Sequence, residues 1–286
     1  MQYWIIQALN SLALGGLLFL LAAGFSLIFG LMRIANLTHG SLYMLGAYVG
    51  VSVLRYVPNL WLAAFVAALA MAIFGALIER LVLRALVGNA LGQVLVTLGI
   101  SFIVADACLM IWGGDPIPIA TPAFLQKPLV LGGIPFPSYR LAVVGIAVVV
   151  ASGLYVLMDR TRLGAMIRAG VDDMQMARAV GIPVSRLFTM VFALGAALAG
   201  AGGVLGGPIM SAYPGLDADM LPLALIIVML GGVGSLLGAF IGSFITGAIY
   251  TFGTALLPDL AYMILFLPMI FVIAFRPTGL FGRQAA

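Results

Sequence analysis

The chain has 286 residues, of which 64% are hydrophobic and 8% charged, with 13 Lys and Arg against 9 Asp and Glu. An ordinary soluble domain is about 45–50% apolar, so this composition excludes a water-soluble enzyme or binding domain. The mean hydropathy is +1.24, and several apolar runs reach the ~20 residues a helix needs to cross a bilayer core. The expected fold is an all-α polytopic membrane protein forming one domain over residues 1–286.

In chain order the predicted spans are 8–30, 39–56, 60–78, 91–112, 139–158, 187–206, a short 219–230, 236–256 and 260–275. That is eight or nine transmembrane segments, short or broken helices included. The opening "MQYWIIQ" has no basic region and no small-residue cleavage site follows, so 8–30 reads as an uncleaved span rather than a signal peptide. Tyr3 and Trp4 suit an interfacial anchor. Glycine is abundant, at 36 residues, and recurs every four residues at Gly234, Gly238 and Gly242, as do Gly195, Ala199 and Gly203, while Gly46 pairs with Gly50. Membrane helices use such small residues to approach closely. Cys108, alone, forms neither an intrachain disulfide nor a metal site.

Alternating the chain from a cytoplasmic 79–90 linker collects Arg33, Arg80, Arg84, Arg160, Arg162, Arg168, Arg178, Arg186, Arg276 and Arg283 on the cytoplasmic side. Only Arg55, Lys127 and Arg140 remain outside. The positive-inside rule therefore puts the N-terminus outside and the C-terminus in the cytoplasm. It also accounts for the pI near 9.5 without nucleic acid. The segment 219–230 spans only about 18 Å, which makes it a short or half helix, bounded by "YPGLD" and "GGVGS".

The external loop 113–138, "GGDPIPIATPAFLQKPLVLGGIPFPS", is rich in Pro and Gly and predicts turns or short extended pieces. Each half of the chain carries an interruption beside a membrane segment, "RIANLTHG" and "GGPIMSAYPGLD". Paired interruptions of this kind mark substrate pathways in transporters built from repeats, although the two halves share no sequence identity.

Residues 159–186 hold eight charged residues: Asp159, Arg160, Arg162, Arg168, Asp172, Asp173, Arg178 and Arg186. Leu163 and Ile167 are four apart, and Gly170 ends the run as a helix stop would. Asp172 caps a second helix with Gln175 at its third position; Gly181 stops that helix and Pro183 prevents its resumption. The island thus predicts two short cytoplasmic helices joined at a glycine, resting on the membrane domain or docking a cytoplasmic partner.

"RLGAMIRAGVDDMQMARAVGI" resembles the cytoplasmic coupling loop of branched-chain amino acid ABC transporter permeases of the LivH type (the LivH/LivM family). The resemblance extends in order through "GLMRIANLTHGSLYMLGAYVG", "GAALAGAGGVLGGP", "VMLGGVGSLLGAFIGS" and "FRPTGLFG", and covers most of the chain. It implies a permease subunit of an ATP-binding-cassette importer in a bacterial inner membrane. Its partners would be a second related permease, two cytoplasmic ATPases, a periplasmic substrate-binding protein and membrane lipid. The substrates would be branched-chain or other hydrophobic amino acids, with urea and short amides as neighbours. The resemblance further implies ATPase coupling through Leu163, Gly164, Arg168, Gly170, Asp172, Asp173, Ala177 and Gly181. A Walker A loop needs a lysine before Ser or Thr, and the single lysine, Lys127, precedes Pro128. This chain is therefore expected to hold no cofactor, ATP being bound by partner subunits.

Polar residues within the spans are candidates for the translocation pathway: Asn36, His39, Asp106 and Tyr213. Asp106 is the deepest acid of the predicted spans, and such residues usually face a bundle interior or water. His39 reads either as a substrate contact or as packing around a broken helix, with Asn36 and Thr38 as local caps. Asp217 and Asp219 face outside beside Tyr213, to meet a binding protein or stay solvated. Two readings compete with an importer subunit: a proton-coupled secondary transporter using Asp106, and a channel-like facilitator. No HExxH or GxSxG is present, and the chain reads as a transport subunit rather than an enzyme.

Overall fold

The computed structural model describes residues 2–32, 36–131, 133–276 and 278–282. Arg33, Arg283 and residues 33–35 of the first interruption lie outside the described residues. The helices are α1 (Gln2–Met32), α2 (Thr38–Tyr56), α3 (Leu60–Leu81), α4 (Ala90–Trp112), α5 (Ser138–Arg160), α6 (Arg162–Asp172), α7 (Met174–Ala179), α8 (Val184–Met210), α9 (Leu216–Gly231), α10 (Leu236–Leu256) and α11 (Ala261–Phe275). Every predicted span has a helix at its place, and the two short ones of the charged island are α6 and α7. Six of the helices, α1, α3, α4, α5, α8 and α10, are long and apolar enough to cross a membrane. The chain is an all-α polytopic membrane protein.

Polar side chains set several of the helix starts. Asn59 Oδ1 accepts from the amides of Trp61 and Leu62, Asn89 Oδ1 from Gly92, and Ser235 Oγ from Gly238, closing donors that would otherwise be unpaired in an apolar medium. The Pro- and Gly-rich loop between α4 and α5 forms a hairpin of β1 (Pro128–Leu131) and β2 (Ile134–Pro137). Before it, Ile117 pairs with Ala212 through two backbone hydrogen bonds of 2.8 and 2.9 Å, tying this loop to the break between α8 and α9.

α1 and α8 form the centre and cross antiparallel: Gly24 meets Gly195 backbone to backbone, and Leu17 meets Gly206. Around them the packing repeats. α1 lies on α10 as α8 lies on α3, and α2 contacts α3 and α4 as α9 contacts α10 and α11. Two four-helix units of opposite direction, α1–α4 and α8–α11, therefore share one plan, the arrangement of inverted-topology repeats. The repeat is carried by packing where the residues themselves show none. Gly46 and Gly200 bring α2 against α8 so closely that a Cβ at Gly46 would strike the Gly200 backbone. The periphery is different: α1 is 83% buried over its apolar window, α4 only 22% and α5 17%.

Candidate functional site

Both repeats contain a broken helix, and the two breaks converge. α2 opens at Thr38, α1 being described to Met32, and α9 opens at Leu216 after α8 ends at Met210. The ring Nε2 of His39 lies 2.9 Å from the carbonyl of Leu21. Leu21 precedes the end of α1 by about 16 Å of helix, so α2 starts deep inside the bundle. At that depth Gly40 touches the carbonyl of Asp217: a Cβ there would come within 2.6 Å of it. Ser41 Oγ donates to Asp217 Oδ2 at 3.1 Å and lies 2.6 Å from Ser101 Oγ of α4. Two helix N-termini thus meet around one carboxylate, and their partial positive ends favour a negative charge there.

α4 completes this joint. Thr97 Oγ1 accepts from the amide of Leu37, and Thr38 Oγ1 donates to the carbonyl of Thr97. Thr38 therefore crosses to α4 instead of capping its own helix; the local role belongs to Asn36, whose Oδ1 accepts from the Thr38 amide at 3.1 Å. Gln93, Thr97 and Ser101 are all buried. Their four-residue spacing in an otherwise apolar helix is the signal that marks an inward face. His39 packs its ring against Phe25 at 5.3 Å. Asn36 Nδ2, His39 Nδ1 and Gln93 Nε2 are buried without a hydrogen-bond partner among the described residues.

The second break is equally tied. Tyr213 donates to Asp219 Oδ2 at 2.6 Å, and both Asp217 and Asp219 lie in the first turn of α9, half-buried. The expected start of this helix at residue 219 is corrected: Gly215, at φ 96°, turns the chain so that α9 begins at Leu216 and both aspartates belong to the helix rather than to the interruption. Ser211 ends α8 at φ 66°, a backbone conformation that side chains rarely adopt. Asp106 is also corrected. It stands exposed on the outer face of α4, with no hydrogen bond or ion pair among the described residues, and does not face the interior of this bundle.

The charged island is built on the end of α5. Thr161 Oγ1 accepts from the Gly164 amide at 3.1 Å and opens α6. Gly164 lies so close to the carbonyls of Leu157 and Met158 that no side chain fits. Arg168 donates to the Met158 carbonyl and, at 3.3 Å, to Asp159 Oδ1, satisfying the frayed end of α5. Gly170 does not stop the helix: it is buried within α6, which continues to Asp172. Nor does Asp172 cap α7. That role belongs to Asp173, whose Oδ1 accepts from the amides of Gln175 and Met176 at 2.8 and 2.9 Å. Asp173 alone has the extended backbone a cap requires (φ −147°, ψ 104°), and Asp172 is still helical. Gly181, at φ 86°, ends the element, the Ile182 amide bonding the Ala177 carbonyl and the Gly181 amide that of Arg178, which is a Schellman closure.

Ile167, Ala177 and Gly164 face inward, and Leu163 packs on the same cluster. Asp172, Asp173, Met176, Arg178 and Val180 face out. A shallow groove of about 520 Å³ runs from Arg178 along Gly181–Arg186. Directly beyond it the first turns of α8 hold a latch the sequence reading missed. Glu79, buried at the end of α3, accepts from Arg84 at 3.1 Å and from Thr189 of α8 at 2.6 Å, while Arg84 also donates to the Ser185 carbonyl. At the other end of α2, a cavity of about 600 Å³ is lined by Val51, Leu54, Arg55, Trp61, Ile117 and Ile119.

Comparison with known proteins gives a consistent answer. A family model described as "branched-chain amino acid transport system / permease component" matches residues 7–273. The chain is 30% identical over 298 residues to the high-affinity branched-chain amino acid transport system permease protein BraD of Pseudomonas aeruginosa, covering 98% of this chain and 96% of that protein. It is 29% identical over 300 residues to the corresponding permease LivH of Escherichia coli, with the same coverages. It is 28% identical over 242 residues to a probable LivH of Methanocaldococcus jannaschii, covering 81% of this chain and 75% of that one. No solved structure matches the chain.

Proposed function

The chain belongs to the branched-chain amino acid transport system / permease component family, and on that premise we propose that it is a membrane-spanning subunit of an ATP-binding-cassette importer. It carries branched-chain or related hydrophobic amino acids that a periplasmic binding protein delivers, and it works beside a second permease and two cytoplasmic ATPases. Its place is the bacterial inner membrane, N-terminus outside and C-terminus inside.

The observation that carries this reading is the geometry of α6 and α7. They form a capped helix pair with one face packed on the bundle and a charged face left outward. A connector needs only to close a gap between two spans. A capped pair with an outward face suits a surface that receives force. ATPases bearing on Asp172, Asp173 and Arg178 would move α6 and the start of α8 together. Through Ser185 and Thr189 that motion reaches Arg84 and Glu79 on α3. The joint at Ser41, Ser101 and Asp217 is where two half-helices can part, and Asn36, His39 and Tyr213 border it. The unpartnered Asn36 Nδ2 and His39 Nδ1 support a joint with a second arrangement. The Arg55 cavity, mostly apolar with one cation and the polar Asn59, Thr121 and Gln126, suits a carboxylate bearing an apolar side chain.

A proton-coupled transporter is not favoured, since Asp106 lies away from the joint. Uptake of labelled leucine into vesicles holding the whole complex tests the proposal. Uptake that requires internal ATP and survives collapse of the proton gradient supports it; uptake that follows the gradient without ATP overturns it.

A further inference from the structure

α4 and α5 are the two least buried of the long helices, yet their exposed faces differ in kind. That of α5 carries Gly145, Val148, Val149, Ser152, Gly153, Tyr155 and Val156, with nothing charged until Asp159 near its end. That of α4 carries Gly99, Phe102, Ile103, Asp106 and Met110. Asp106 is six residues before Trp112, about 9 Å along the helix from its end, and therefore lies within the hydrocarbon depth. A carboxylate facing lipid is disfavoured within that depth, and such residues generally find a polar partner. Gly99, two turns away on the same face, has open space where a Cβ would point, as do Gly145 and Gly153 of α5, so it is the carboxylate that sets α4 apart.

We propose that this face of α4 is covered by a membrane span of a second, non-identical permease chain, which presents a basic or hydrogen-bond-donating side chain to Asp106. The proposal rests on the importer reading and adds to it which face meets the partner. A copy of this chain does not fit. In a two-fold interface the same patch meets itself, so Asp106 would face apolar Phe102, Ile103 or Met110, or a second Asp106. The polar residues of α4 that could donate, Gln93, Thr97 and Ser101, are buried inward. The arginines of the other long helices and α2, Arg55, Arg80, Arg140, Arg160 and Arg186, all lie within the last or first turn, away from this depth.

The test uses the full complex in its native membrane. Benzoylphenylalanine replaces Ile103 in one variant and Val149 in another, and the membranes are irradiated before purification. The expected adduct forms at Ile103 and contains the co-purifying second permease. An adduct with a copy of this chain, or one at Val149 in its place, overturns the proposal, as does the absence of any protein adduct while the second permease still co-purifies. Failure to recover a second permease at all overturns the importer reading along with it. Asp106→Leu then reads the side chain itself. It is expected to lower recovery of the second permease about three- to thirty-fold relative to Asp106→Asn, which keeps a hydrogen bond. Recovery with Leu equal to or above that with Asn would show a lipid-facing helix.

Discussion

Ser41 and Asp217, 176 residues apart in the chain, are joined by a 3.1 Å hydrogen bond from hydroxyl to carboxylate. Each belongs to the first turn of a helix that starts inside the bundle, one in each repeat. If this bond holds one of two arrangements of the joint, its loss shifts the balance between them. Asp217→Ala is expected to lower uptake by about 5- to 150-fold, the range of ordinary coupling energies, while the chain remains in the membrane. Asp217→Asn, which still accepts from Ser41, should retain more. Equal uptake by both variants and the parent would remove the joint from the mechanism.

Gly164 separates α5 from α6 by less than a side chain. Gly164→Val must therefore tilt α6 away from the end of α5 or break the Thr161 cap, at a cost of about 1–3 kcal/mol of local overpacking. The expected outcome is normal membrane abundance, measured by immunoblot, with uptake abolished. Asp173→Ala acts on the same element more gently, removing a cap worth about 1 kcal/mol, and should weaken uptake without eliminating it.

Glu79 is buried, with Arg84 and Thr189 as its partners. Arg84→Ala leaves the carboxylate with a hydroxyl alone, and an unsatisfied buried group costs about 1–3 kcal/mol. Thermal unfolding of the purified protein should show the loss. The double change Glu79→Gln with Arg84→Ala should recover part of it, because the neutral amide no longer needs a cation. A double variant no more stable than Arg84→Ala would mean the latch is not an ion pair in energetic terms.

Much of this architecture is legible in the residues alone. Hydrophobic length locates the spans, because a bilayer demands it, and the glycine after Val180 ends α7 where a left-handed residue is needed. What escapes is whatever depends on a neighbour. Gly170 looks like a stop, but it is buried against the bundle and the helix runs past it. Of two adjacent aspartates, Asp172 and Asp173, only backbone conformation tells which one caps. Asp106 looks interior because acids in membranes generally are; that it points outward depends on which face of α4 meets α2. The joint of Ser41, Ser101 and Asp217 unites three distant segments, and nothing local announces it.

Asp106→Asn separates two energy sources. With ATP as the driving force, the variant should show the same dependence of uptake on external pH as the parent. A proton-coupled carrier would instead gain uptake as external pH falls and lose that gain in the variant. Transport assays across a pH series decide between the two.

The central claim is that α6 and α7 receive ATPase subunits, and co-purification tests it most directly. The tagged chain is extracted from its native membrane in mild detergent, alongside Gly164→Val and Asp173→Ala variants, and its companions are identified. ATP-binding subunits should accompany the parent chain, fall with Asp173→Ala and disappear with Gly164→Val. A chain that purifies without them, and takes up leucine in vesicles lacking ATP, would contradict the account.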